Sequence, residues 1–161
     1  MPEFPLRECG FGRLGHIETR DIVSGRVLGN SLGGLHMTRD DFYRYIDAFN
    51  NRAYDQLAPY YAASAQLELP GFTLEGPEGI TGFYRDFHQY VREYIEVRFL
   101  VADENGVAVE LYTEFECHRD YPNEKLPFKR GETRRLLNFV HYDVENGQFQ
   151  RIRVARYRQY P

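Results

Sequence analysis

Two residues stand out for the chemistry they could do. His88 is the strongest candidate for acid–base work, because an imidazole titrates near neutrality and can give or take a proton at working pH. It lies one helical turn after Tyr84 in a stretch with helical spacing. A helical histidine of this kind also reads as a packing or surface residue. Arg156 carries a permanent, planar charge that could grip a carboxylate or polarise a carbonyl; it reads equally as a solvated arginine at a sheet edge. No pair of acidic or imidazole side chains has the spacing of a metal motif such as His-Glu-x-x-His. The two cysteines, Cys9 and Cys117, make neither a disulfide framework nor a zinc site. No metal is expected.

The composition says what surrounds such groups. Aromatic residues are 16% of the 161, as 13 Tyr and 12 Phe with no Trp. So many rings call for a large core or an aromatic-walled cavity, and each tyrosine adds a hydroxyl that needs a partner. The formal net charge of -4 leaves no electrostatic footprint for nucleic acid. Arg151, Arg153, Arg156 and Arg158 are a local exception and read mainly as a solvated sheet face. No apolar run is long enough to cross a membrane, and the N-terminus lacks the apolar stretch of a signal peptide. A cytoplasmic setting is the default expectation.

The elements that would position these groups begin after residue 36. Residues 1–36 are glycine-rich without a sustained period and read as a flexible extension, or as an arm exchanged with a second subunit. Met37 is a plausible alternative start, and residues 37–161 form the domain. Thr38 and Asp41 make a capping box. Phe42, Tyr45, Ile46 and Phe49 then form one apolar helix face. A short helix is predicted around Gln56–Tyr61, limited by Pro59, and a strand over Gln66–Leu69, stopped by Pro70-Gly71. A third helix is predicted from Ile80 to Tyr94, with Phe83, Phe87, Tyr90 and Tyr94 in its stripe. The period then switches to two. Val107, Val109, Leu111, Thr113, Phe115 and Cys117 share one strand face, and two long strands follow around the Asn146-Gly147 turn. A polar connection is predicted over His118–Glu132.

This order resembles the SnoaL-like polyketide cyclases of the NTF2-like superfamily. The resemblance spans about residues 38–158. It is carried by Phe42-Tyr43-Arg44-Tyr45-Ile46-Asp47-Ala48-Phe49-Asn50, by Leu67-Glu68-Leu69-Pro70-Gly71, by Phe139-Val140-His141-Tyr142-Asp143-Val144-Glu145-Asn146-Gly147-Gln148-Phe149, and by Ile152-Arg153-Val154-Ala155-Arg156. It implies an α+β cone: a curved antiparallel sheet capped by three helices around an apolar pocket. It also implies an apolar small-molecule substrate, no organic redox cofactor, and a homodimer through the outer sheet face. The outward Tyr112, Leu137 and Phe139 agree with such a dimer.

The resemblance places Tyr45 where ketosteroid isomerase has its oxyanion-hole tyrosine. That enzyme's catalytic aspartate falls on Leu69, and the neighbouring Glu68 points to the opposite strand face. The charged set of the epoxide hydrolases falls on Thr113, Phe115 and Val154, and the cyclase aspartate also falls on Val154. Alignment turns Asn138, Tyr142, Val154 and Arg156 inward. The expected catalytic set is Tyr45, His88 and Arg156. The expected substrate contacts are Tyr60, Phe83, Tyr84 and Phe87 from the helices, and Leu111, Thr113, Phe115, Asn138, Tyr142 and Val154 from the sheet. A strand slipped by one residue would instead bring Glu114, Glu116, His141 and Asp143 inside. Two functions are consistent with this pattern. One is a cofactor-independent cyclase, isomerase or dehydratase acting by acid–base catalysis on a carbonyl-bearing, polyketide-like or polycyclic secondary metabolite. The other is a non-catalytic small-molecule-binding or dimerisation module.

Overall fold

The structure, a computed structural model, describes residues 36–161. The expectation for residues 1–36 lies, apart from His36, outside the described residues. Helix α1 spans Arg39–Asn50 and opens on the capping box: Asp41 N donates to Thr38 Oγ1 at 3.1 Å, and Thr38 N donates to Asp41 Oδ2 at 3.0 Å. Such a cap stabilises a helix by about 1 kcal/mol. The apolar face is buried as its spacing requires, with Phe42, Tyr45, Ile46 and Phe49 at 5% exposure or less. Helix α2 (Tyr54–Leu57) passes at once into a 3-10 turn, Ala58–Tyr60, because Pro59 lacks the N–H that would continue an α-helix.

Strand β1 (Tyr61–Leu69) turns into β2 (Phe72–Glu75) through Gly71, whose φ of 101° suits glycine. Helix α3 covers Gly76–Phe87, with Pro77 in its first turn. It ends seven residues before the expected Tyr94, and β3 (Val91–Ala102) takes over that stretch. The reason is a competing period. Val91, Glu93, Ile95 and Val97 alternate inward against exposed Arg92, Tyr94, Glu96 and Arg98, and this pattern prevails over the helical recurrence of Tyr90 and Tyr94. Strands β4 (Gly106–Cys117), β5 (Thr133–Glu145) and β6 (Gln148–Tyr160) complete the sheet.

The sheet order is β2-β1-β6-β5-β4-β3. Strand β2 is an addition to the expected elements: Phe72–Glu75 is too short to show a period of its own and forms by pairing with β1. The sheet is mixed, which corrects the all-antiparallel expectation: β1 lies parallel to β6, with Leu67 opposite Ile152, and the other pairs are antiparallel. Register shifts put bulges in β3 at Arg98 and in β6 at Gln150 and Tyr157, and bulges bend a strand and increase its twist. The sheet therefore curls without closing, and the helices cover its concave side. The chain adopts the α+β cone.

The concave face carries the core. Phe149 sits at its centre, with ring centroids 4.8 Å from Tyr142, 5.0 Å from Tyr45 and 6.1 Å from Tyr61. The outer face carries ion pairs. Arg135 meets Glu114 at 2.7 Å, Arg92 meets Glu116 at 3.1 Å, and Arg153 bonds both Asp143 and His141. Glu114, Glu116, His141 and Asp143 thus lie outside the cone.

Candidate functional site

The concave face and the helices enclose a cavity of about 120 Å³, open to solvent at one side. Its floor is β4 and β5: Leu111, Thr113 and Phe115 alternate inward, and so do Leu136, Asn138, Val140 and Tyr142. Helix α1 contributes Tyr45 and Phe49, α3 contributes Phe83, Tyr84 and Phe87, and β6 contributes Val154 and Arg156. Leu69 and Phe72 close the side nearest the β1–β2 turn. The expected residues Tyr45, Phe83, Tyr84, Phe87, Leu111, Thr113, Phe115, Asn138, Tyr142, Val154 and Arg156 all meet in this one wall.

Two expected residues do not. Tyr60 packs outside the cavity, stacked 6.1 Å from Phe149 and edge-on to Tyr45, because the 3-10 turn at Pro59 carries it behind α1. His88 is buried but stands behind the wall rather than in it. It caps the end of α3, where its ring is held by Phe49, Tyr84 and Phe87 at 5.5–5.8 Å.

In front of His88 stands a residue absent from the expected set. Glu93 lines the cavity with its side chain only 8% exposed. His88 Nε2 lies 3.1 Å from Glu93 Oε2, and His88 Nδ1 lies 2.9 Å from the hydroxyl of Tyr54. Oε1 has no hydrogen-bond partner among the described residues, and no buried side-chain oxygen there is left unsatisfied. Oε1 therefore faces the open space of the cavity. An isolated carboxylate in an apolar site is costly to bury, and the hydrogen-bond contact with the imidazole behind it offsets part of that cost. The sequence signal for Glu93 is Val91-x-Glu93-x-Ile95-x-Val97, an acid in an inward strand register, and a helix extended to Tyr94 hides it. Leu126 and Phe128 are also additions; the polar connection folds back through the Tyr121–Phe128 bridge and brings them to the wall.

Two phenols of the cavity wall, Tyr45 and Tyr84, lie close enough to feel this carboxylate's charge. Tyr45 and Tyr61 share a hydrogen bond of 3.1 Å between their hydroxyls. Burial pushes the Tyr45 phenol up to about 12, and the nearby Glu93 charge adds to the rise. Burial also holds Tyr84 and Tyr142 well above the ordinary tyrosine value. These hydroxyls keep their protons and remain available as donors. Asn138 Nδ2 reaches Thr113 Oγ1 at 3.5 Å deep in the floor. Arg156 is exposed and forms no ion pair with any described residue, so its guanidinium belongs to the open side. Among the described residues no three His, Cys, Asp or Glu side chains cluster as metal ligands. No helix among them is long and apolar enough to cross a membrane.

Comparison with known proteins agrees with the geometry. The SnoaL-like domain family matches residues 42–152, and the chain belongs to that family. No curated protein matches. Among solved structures, a SnoaL-like polyketide cyclase from Agrobacterium tumefaciens superposes with a TM-score of 0.60 at 21% identity, over 76% of this chain and 93% of that one. An LEH-like epoxide hydrolase from M. tuberculosis gives 0.59 at 14% identity, over 72% and 79%. A protein with a ketosteroid isomerase-like fold from Catenulispora acidiphila, solved with trimethylamine, gives 0.58 at 13% identity, over 74% and 86%. These likenesses speak for the NTF2-like fold.

Proposed function

We propose that the protein is an acid–base catalyst that moves a proton next to a carbonyl in a small apolar substrate, as an isomerase, cyclase or dehydratase would. One observation carries the reading: Glu93 presents a free oxygen inside an apolar, aromatic-walled cavity, with an imidazole at its back. A carboxylate so placed can remove a proton α to a carbonyl. The Tyr45 hydroxyl, supported by Tyr61, is suited to donate to the enolate oxygen that forms. Arg156 is suited to an anionic or strongly polar group that projects toward solvent. The volume argues for a compact reacting part. A cavity of ~150 Å³ accepts benzene, so about 120 Å³ takes at most one ring or a short acyl chain, and the remainder of a polyketide-like molecule would lie at the mouth.

The test uses aryl ketones and 1,3-dicarbonyl compounds in deuterated water, with α-deuteration followed by proton NMR. The protein is expected to accelerate exchange, and Glu93→Gln to slow it by about 10²–10⁴-fold, the usual range for a lost general base. Equal rates in the two proteins would refute the assignment. A second reading, a binding module without chemistry, is favoured by Leu69, Thr113, Phe115 and Val154, which line the cavity where related enzymes carry charged residues. Binding of the probes with no exchange above the buffer rate would decide for it.

A further inference from the structure

Glu93 is sealed from bulk water on the side away from the cavity, yet a hydrogen-bonded path leads out from it. The path runs from Glu93 Oε2 to His88 Nε2 at 3.1 Å, then from His88 Nδ1 to Tyr54 Oη at 2.9 Å. The His88 side chain is only 2% exposed, whereas Tyr54 is half-buried at the start of α2 and reaches the surface. There the Arg85 guanidinium lies 5.2 Å above its ring and pairs with exposed Asp55. The Tyr54 hydroxyl has a second acceptor, the Tyr84 carbonyl at 3.4 Å.

We propose that His88 and Tyr54 form a proton relay that joins Glu93 to bulk water through the back of the cavity wall. Both end states of the relay are fully bonded. With Glu93 ionised, Nε2–H donates to Oε2, and the Tyr54 hydroxyl donates to Nδ1. With Glu93 protonated, its hydroxyl donates to Nε2, Nδ1–H donates to the Tyr54 oxygen, and the Tyr54 hydrogen turns to the Tyr84 carbonyl. Passing between them moves one proton at each link. Tyr54 gives its proton to Nδ1, Nε2 gives its proton to Oε2, and water replaces the proton of Tyr54. The reverse pass returns one proton to water, and no net charge is left on the imidazole. Glu93 thus stays in protonic equilibrium with solvent while a substrate fills the mouth. His88 and Tyr54 are positioning residues here, since neither lines the cavity. The purpose of the relay rests on the proposed role of Glu93; its existence does not.

The experiment needs no substrate. Exchange of the His88 Nε2 proton with water is measured by NMR on histidine-labelled protein. Tyr54→Phe keeps a ring against the imidazole but cannot pass a proton, and Glu93→Gln cannot accept one. Exchange is expected to slow tenfold or more in both variants. A variant that is merely destabilised opens more often and exchanges faster, as core-strand amides measured in the same samples will report. Exchange that is unchanged or faster in Tyr54→Phe overturns the relay, whatever the α-deuteration assay finds. Slow exchange in both variants together with absent α-deuteration would keep the relay and reject the chemistry.

Discussion

Four phenols are buried in the interior, and they bind their protons more tightly than the unfolded chain would. Tyr45 is raised to about 12, and Tyr61, Tyr84 and Tyr142 well above their ordinary value, with burial the main cause in each. An unfolded tyrosine ionises near pH 10. Above about pH 10 the folded chain therefore holds more protons than the unfolded one, and stability falls as pH rises further. Below that point the full contribution is present. Spectrophotometric titration at 295 nm should find these four of the 13 tyrosines ionising only after the exposed ones, and denaturation midpoints should fall steadily above pH 10. Simple ionisation of all 13 near pH 10 in folded protein would contradict this picture. At this scale the sequence is legible where a residue obeys a period: Tyr45, Thr113 and Asn138 stand in the wall. It fails for Glu93, because a residue's facing depends on which element it belongs to, and for Tyr60, because a 3-10 turn rotates the residues at its end away from the α-helical register.

Among the elements, α1 is the most legible, since its cap and its apolar face are both local in sequence. Strand pairing is not. The parallel seam between β1 and β6 depends on contacts such as Arg151–Glu68, 83 residues apart, and no local period announces it. The β4–β5 pair is held at close quarters by Gly106. A Cβ added there would stand 2.4 Å from the Tyr142 carbonyl oxygen. Backbone cannot swing away as a side chain does, so Gly106→Ala should destabilise the protein by about 1–3 kcal/mol. In a chain of this size that lowers Tm by roughly 2–4 °C per kcal/mol. A thermal melt by circular dichroism decides the point, and an unchanged Tm would show that the strand end can shift at little cost.

On the scale of the whole molecule, the outer sheet face carries rings that no described element covers. Phe99, Phe139 and Tyr157 are 61%, 46% and 58% exposed, and Phe139 and Tyr157 touch at 5.0 Å. Phe99 and Phe139 lie in one row across the strands, each opposite Glu110 of β4. A second copy related by a two-fold axis would cover such a patch with the same patch. Light scattering at micromolar concentration should then give twice the 19.0 kDa chain mass, and Phe139→Glu with Tyr157→Glu should return the monomer. A monomeric unsubstituted protein at that concentration would remove the expectation.

The parallel seam also sets an order in time. Tyr61, which supports the Tyr45 hydroxyl, opens β1, and β1 has no sheet neighbour but β2 until β6 arrives. Closing a loop of that length costs chain entropy before any contact repays it. During synthesis the first wall of the cavity must therefore wait for the last strand, and the phenol pair is assembled only when β6 has been made.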